Sequence, residues 1–257
     1  MNPTTKVVAA AAGLAASIGL AAPQALATGG LSITPSIVQG TASPGVLGTV
    51  SVSNSSSVTM HITASVRPWI QRLNGTITPD MRHTLSDISL SDESFSLAAG
   101  QKQTITLTLL HTPPGNALYG NVDVIGIPPT NKAPNGVTVN YRLIGSLRAV
   151  PSASDQKLSA TARVHETGNR SRGTLSLAIE NSGNTIDPIT GTFQIRGAAG
   201  SVSGSVPSEA IVPGATVLAP LTRLHGQLRP GSYTATITLK QGGSTIVNAA
   251  RSSFKIS

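Results

Sequence analysis

The chain contains no cysteine, and only 3% of its residues are aromatic. Without disulfides, each domain must be held by its own hydrophobic core. Scarce aromatic residues and the lack of a dense basic cluster argue against a nucleic acid partner. Acidic residues are also few, since 10 Asp and Glu stand against 18 Lys and Arg, a formal net charge of +8. The arginine-rich surface could meet anionic wall polymers or lipid head groups, or could simply be solvated.

Residue sets that carry catalysis or bind metals are missing from the sequence. The five histidines are never two or four positions apart, so no metal-ligand spacing occurs. There is no G-x-S-x-G elbow, P-loop or G-x-G-x-x-G motif, and the close carboxylates lie in turn-like stretches. We therefore expect a non-enzymatic protein with no catalytic residue, no cofactor and no metal site.

The N-terminus carries the pattern of an export signal. Lys6 supplies the positive charge, residues 7–22 form an apolar run, and Ala25-Leu26-Ala27 offers a small-x-small cleavage site. The apolar run is shorter than the roughly 20 residues of a spanning helix. We predict a signal peptide at residues 1–27, cleaved after Ala27, which makes the only membrane contact. The mature chain would then be secreted or held in the cell envelope.

Alternation of apolar and polar residues dominates the rest of the chain. Val, Ile and Thr recur with period two between turns rich in Gly, Pro, Asn and Ser, which is typical of half-buried strands. Such segments begin at Gly48, Gln103, Gly120, Gly136, Thr174, Tyr233 and Ser253. The pattern predicts an all-β fold, with two tandem immunoglobulin-like β-sandwich domains after the signal peptide.

A Pro-led polar stretch at residues 151–155 is the predicted linker between the two domains. The first domain would span 28–150 and the second 156–257, and an internal repeat supports this division. Gly100, His111 and Tyr119 have the same spacing, 11 and 19 residues from the glycine, as Gly214, His225 and Tyr233. Asn54-Ser55 and Asn181-Ser182 each close a predicted strand. One sandwich template therefore appears twice in the sequence.

Several single residues could have a structural or a functional role. Tyr119 and Tyr233 follow Pro-Gly turns and are interpreted as structural tyrosine corners. Trp69 is expected in the first core, with an exposed anchor for a partner as the alternative. Asp123 lies between two valines of an alternating strand and is expected to face solvent. His111 and His225 are interpreted as structural residues at strand ends.

The motif order of the first domain resembles that of periplasmic pilus chaperones. It runs from Ser-Val-Ser-Asn54-Ser-Ser to Trp69, then Phe95-Ser-Leu-Ala-Ala-Gly100, and ends in a long strand at residues 137–150. The resemblance implies two immunoglobulin-like domains that hold a pilus subunit by donating a strand. Val139, Tyr141, Leu143 and Gly145 would alternate along that strand.

The same resemblance implies two basic residues that anchor the subunit's terminal carboxylate. The first strand, at residues 34–38, has no base, whereas Arg142 or Arg148 on the final strand could serve. Leu31-Ser-Ile-Thr-Pro35 and Tyr119-Gly120 are also similar to the exported partners of WxL surface proteins, which implies peptidoglycan-binding-type sandwiches.

These patterns favour a cell-envelope binding or structural protein that engages another surface protein or an anionic wall polymer. The alternative is a pilus-chaperone-like assembly factor that donates the last strand of domain 1. The candidate partner-binding residues are Arg142, Arg148 and Trp69.

Overall fold

The computed structural model describes residues 30–129, 140–165, 174–223 and 228–256. The predicted signal peptide lies outside these residues. The described part of the chain consists of strands and one short 3-10 turn at Pro114–Asn116. Within it, no helix has the length and apolar character that crossing a membrane requires.

The first ten strands build a sandwich of two sheets. Sheet 1 has the order β1-β3-β8-β6, and sheet 2 has the order β2-β10-β9-β4-β5, with β7 also pairing with β4. The strands are β1 (Leu31–Thr34), β2 (Ile37–Thr41), β3 (Gly45–Asn54), β4 (Met60–Gln71), β5 (Ile77–Pro79), β6 (Ile88–Leu90), β7 (Ser94–Leu97), β8 (Lys102–Leu109), β9 (Leu118–Ile127) and β10 (Tyr141–Val150).

The remaining strands build a second sandwich. Sheet 3 has the order β11-β12-β15, and sheet 4 has the order β14-β13-β16-β17. The strands are β11 (Leu158–His165), β12 (Thr174–Asn181), β13 (Ile189–Gly197), β14 (Gly200–Glu209), β15 (Thr216–Arg223), β16 (Gly231–Gln241) and β17 (Ser244–Ile256). The all-β prediction of two immunoglobulin-like sandwiches is confirmed, whereas the linker at residues 151–155 stays a prediction.

Each sandwich has its own core, as the alternation predicted. Ile105, Leu107 and Leu109 of β8 are fully buried in the first core, and Ala235 and Ile237 of β16 in the second. The two clusters share no residue, so each sandwich buries its own apolar face. Burial of such side chains stabilises each fold by about 1.5–3 kcal/mol per large residue.

The internal repeat is confirmed at its asparagines and glycines. Asn54 and Asn181 are both fully buried, and each side-chain amide donates to loop carbonyls, Asn181 to those of Thr185 and Ile211 at 2.7 Å. Each asparagine carbonyl accepts the N–H of the repeat glycine, Gly100 at 2.8 Å and Gly214 at 2.7 Å. Both glycines have a positive φ, 72° and 79°, which favours glycine. The same turn is therefore built twice.

Candidate functional site

The candidate site lies on the outer face of sheet 2, the side turned away from the first core. Cross-strand register aligns β10, β9 and β4 on this face, since Arg148 pairs with Tyr119, and Ile144 with Asp123. The outer face is formed by Arg142, Ile144, Ser146 and Arg148 of β10, Tyr119, Asn121 and Asp123 of β9, and Ser65, Arg67 and Trp69 of β4. All three predicted partner-binding residues therefore share one surface.

Trp69 does not belong to the first core, contrary to the expectation from sequence. It is half-buried on the outer face and stacks on the ring of Tyr119, with centroids 6.4 Å apart and planes at 18°. The reason is parity, because the core-facing residues of β4 are Ile62, Ala64 and Val66. Trp69 is an odd-numbered residue and points the other way.

A groove of about 430 Å³ opens beside Trp69. Its lining is mostly apolar, with the cationic Arg148 at one side: Ser36, Trp69, Ile77, Thr78, Pro79, Ile144, Gly145, Ser146 and Arg148. Ile144 is 49% exposed and Ile77 is 37% exposed, although both are large apolar side chains. Exposed apolar side chains around a groove are typical of a protein-binding surface.

Arg148 has no carboxylate within ion-pair distance in the described part of the chain. Its Nε donates a hydrogen bond to Ser146 Oγ at 3.3 Å, and it pairs across the sheet with Gln39 of β2. Arg148 as a residue is half-buried, and an arginine fork matches the planar geometry of a carboxylate. Arg148 can therefore receive an anionic group from outside the chain.

The side chain of Arg142 forms an ion pair with Asp123. The prediction that Asp123 faces solvent is wrong, because this residue is only 1% exposed. Arg142 Nε donates to Asp123 Oδ1 at 2.7 Å, and Arg67 Nε donates to Oδ2 at 3.2 Å. Hydrogen bonding to this carboxylate raises the pKa of Arg142 above its ordinary value. A buried carboxylate needs such partners, so Arg142 is committed to the fold.

Two contacts join this region to the second sandwich. Tyr119 Oη donates to the carbonyl of Asn184 at 3.0 Å, and Asn184 Nδ2 donates to the carbonyl of Gly115 at 3.2 Å. Burial raises the pKa of the Tyr119 phenol, and the nearby Asp187 carboxylate raises it further. Tyr119 is therefore not the predicted tyrosine corner, but a contact between the sandwiches.

A second junction is made by the side-chain amide of Gln71 at the end of β4. Its Nε2 donates to the carbonyl of Ala210 at 2.9 Å, and its Oε1 accepts the N–H of Val212 at 2.8 Å. Nearby, Leu218 N–H donates to the carbonyl of Leu73 at 2.6 Å. Nothing local in the sequence marks Gln71 or Asn184, because their partners in the other sandwich lie more than 60 residues away.

Two of the histidines, His83 and His111, lie beside aspartates on the exposed surface. His83 Nδ1 lies 2.6 Å from Asp80 Oδ2, and this bond lowers the pKa of Asp80, on the exposed surface. His111 Nε2 lies 3.7 Å from Asp87, also in an exposed place. No cluster of three potential metal ligands is found in the described part of the chain. His225 lies outside the described residues.

Fimbrial chaperones are among the solved structures similar to this chain. One structure comes from a chaperone–tip adhesin complex described as vital for synergistic activation of CFA/I fimbriae biogenesis, with 13% identity, a TM-score of 0.50, and coverage of 86% of this chain and 96% of that chain. Another is the class 5 fimbriae chaperone CfaA, with 16% identity, a TM-score of 0.51, and coverage of 88% and 99%.

At these identities the likeness shows the fold. It supports the predicted resemblance to pilus chaperones in architecture, whereas the resemblance to WxL-interacting proteins finds no support. No family model and no curated protein matches the chain.

Proposed function

We propose that the chain is an extracytoplasmic chaperone-like protein that holds an exported surface subunit along β10. The observation that carries this proposal is a backbone edge of β10, at residues 141–145, with which no strand of the described residues pairs, beside an apolar groove with one available arginine. Among the solved structures of similar fold, one is a chaperone in complex with a tip adhesin. This favours the assembly factor over a freestanding envelope binding protein.

The unpaired edge results from the way the first strands divide between the sheets. β9 pairs with β10 from Tyr141 to Ala149, but β2 pairs only with residues 146–150. Ser146 donates its N–H to Ser36 on the β2 side, at 2.8 Å. The backbone N–H and C=O groups of successive residues point to opposite sides of a strand. Those of Arg142 and Ile144 therefore point to the same side as those of Ser146, away from β9. No strand in the described ranges pairs with that side of residues 141–145, so it can accept a partner strand.

The side chains that the sequence predicts to contact a partner, those of the odd-numbered residues of β10, face the first core instead. Tyr141 and Leu143 are half-buried against the first core, and Gly145 is buried. Val139 lies outside the described residues. Strand addition would therefore use the open backbone edge, while Ile144 on the outer face supplies apolar contact.

Arg148 serves as the cation for a carboxylate of the subunit. Arg142 is held by Asp123, and the residue across from Arg148 is the uncharged Gln39. One base therefore replaces the pair that the resemblance implied. Single anchoring predicts weaker retention of a carboxylate than a two-base clamp would give.

The test is coexpression with each exported protein encoded beside this gene, followed by copurification. Ile144→Pro removes one free N–H without touching the β9 ladder, and Arg148→Glu reverses the anchoring charge. Each should lower copurification by about tenfold or more, because strand addition depends on main-chain bonds and the anchor on charge. A photo-crosslinking residue at position 144 should form a product with the same subunit.

The matched control is Val46→Asp, at a side chain 69% exposed on sheet 1, compared with Ile144→Asp. Retention should fall for Ile144→Asp alone. Equal retention by all variants, or crosslinking from position 46 as efficient as from 144, would contradict the proposal.

A further inference from the structure

Net charge is concentrated in the second sandwich. Residues 156–257 contain ten Lys and Arg against four Asp and Glu, whereas residues 28–150 contain seven against five. The excess is therefore +6 in one region and +2 in the other. A charge difference of this size favours one side of the molecule for an anionic partner.

Much of this charge points outward from sheet 4. Register places Arg196 beside Thr234 and Ser253, and Gln194 beside Thr236 and Arg251. The side of sheet 4 turned away from the second core, named the basic face, carries Ser201, Ser203 and Ser205 of β14, Thr192, Gln194 and Arg196 of β13, Ser232, Thr234, Thr236, Thr238 and Lys240 of β16, and Arg251, Ser253 and Lys255 of β17. Cations thus alternate with hydroxyls.

The four cations of the basic face are available. Arg196, Lys240, Arg251 and Lys255 are all exposed, and none forms an ion pair with a carboxylate in the described ranges. The basic face itself includes no Asp or Glu. Like charges on one surface repel each other, so an anionic ligand would relieve that repulsion.

One end of the basic face is recessed into a shallow groove of about 550 Å³. Arg196 and Lys255 line it together with the hydroxyl residues Ser232, Thr234 and Ser253 and the stacked rings of Tyr233 and Phe254. Gly197 also lines the groove, and a Cβ there would lie 2.5 Å from the Tyr233 ring and from the Ser232 carbonyl oxygen. Two cations and several hydroxyls therefore surround a space large enough for sugar-sized groups.

The chemistry of the basic face selects among anionic partners. The large apolar side chains recorded as exposed in the described part of the chain all lie in the first sandwich, from Ile37 to Ile144. Insertion into a bilayer interface requires apolar side chains, which the basic face lacks. Nucleic acid would require aromatic rings free to stack on bases, whereas the two rings that line the groove, Tyr233 and Phe254, stack on each other. Hydroxyl and amide groups between cations suit a polymer that is both acidic and hydroxylated.

We propose that the basic face of sheet 4 binds an acidic polysaccharide, with Arg196, Lys240, Arg251 and Lys255 contacting its carboxylates. This site is separate from β10 and does not depend on the proposed chaperone function. A protein that binds a subunit with one sandwich and an envelope polymer with the other would be retained where subunits emerge.

The experiment measures binding of the exported chain, residues 28–257, to immobilised polygalacturonate, with neutral dextran and phosphatidylglycerol vesicles as comparisons. The test variant changes the four cations of the basic face to Gln. The control variant changes Arg82, Lys102, Lys157 and Arg163 to Gln, which removes the same charge from exposed positions elsewhere. Circular dichroism and thermal melting establish that both variants fold.

Wild type should bind polygalacturonate at low ionic strength, and the test variant should bind about tenfold or more weakly, because several charge contacts are lost together. The control should stay within about threefold. Thr234→Val should also weaken binding at constant charge, since a hydroxyl contact is removed.

Three results would overturn the inference. Equal losses in the test and control variants would mean that only net charge matters. Tighter binding to vesicles than to polygalacturonate would identify a lipid surface instead. No binding of wild type to polygalacturonate would exclude the acidic polysaccharide directly.

Discussion

The two sandwiches repeat one turn but direct their matching tyrosines to opposite faces. Tyr119 and Tyr233 follow equivalent glycines by the same 19 residues. Tyr233 points into the second core, stacks on Phe254 and donates its hydroxyl to the Arg229 carbonyl at 2.7 Å, as a tyrosine corner does. Tyr119 points outward and donates to Asn184 of the other sandwich.

A shift of one residue in the strand explains this difference. Since side chains alternate along a strand, such a shift exchanges core and surface for every residue in it. On β9 the core row is Leu118, Val122 and Val124, which leaves Tyr119 and Asp123 outside. Thus in the first sandwich the tyrosine contributes to an outer face that makes contacts, whereas in the second sandwich the tyrosine is part of the core. Equal spacing in sequence does not guarantee an equal face.

The largest expected difference between the sandwiches comes from Asp123. Asp123→Ala leaves two arginines without their buried carboxylate and should destabilise the first sandwich by about 3–5 kcal/mol. Urea unfolding followed by Trp69 fluorescence reports on the first sandwich, because Trp69 is the only tryptophan. Hydrogen exchange in β16 should change far less, and equal effects in both sandwiches would show that they unfold as one unit.

The repeated asparagines should respond alike. Asn54→Ala and Asn181→Ala each leave several buried carbonyls without donors, which should cost about 2–3 kcal/mol in the affected sandwich. Hydrogen exchange near each turn measures this. Exposed Gln194→Ala serves as control, with no expected effect. A large effect at only one asparagine would show that the two turns are not energetically equivalent.

The junction between the sandwiches should weaken in Gln71→Ala. Loss of both amide contacts should cost about 1–3 kcal/mol of docking free energy and leave each core intact. Small-angle scattering should then report a broader distribution of interdomain distances, with an unchanged Trp69 unfolding midpoint. An unchanged distribution would mean that the remaining contacts, at Tyr119, Asn184 and Leu218, fix the junction without Gln71.

The smallest expected effect is the loss of a single tyrosine hydroxyl. Tyr119→Phe and Tyr233→Phe should each lower the free energy of unfolding by about 1 kcal/mol. Burial raises the pKa of Tyr119 above its unfolded value, so the folded state holds this proton more tightly. Its contribution is therefore present below about pH 10 and is lost as the pH rises through the folded-state pKa. Stability measured from pH 8 to 11 should fall less steeply in Tyr119→Phe than in wild type, and identical slopes would contradict this.

The alternation of apolar and polar residues predicted most of the strands, since it marks a segment with one buried and one exposed face. It placed the repeat correctly at Gly100 and Gly214, where a turn needs a positive φ whatever surrounds it. It failed at Asp123, because alternation places this residue opposite the core but does not show that Arg67 and Arg142 cover it. It failed at Trp69 because the aromatic side chain suggested the core, although the residue lies on the outer row of β4. It left the choice between Arg142 and Arg148 open, since the strand register was unknown.

The sequence by itself determined an all-β chain of two sandwiches with a repeated turn, because these features depend on period-two alternation and on local backbone chemistry. Tertiary structure alone decided which side of each strand is outside. It paired Arg142 with Asp123, left Arg148 available beside Trp69, and gathered Arg196 and Lys255 on one open face. Such pairings join residues distant in the chain, and no local pattern encodes the distance between them.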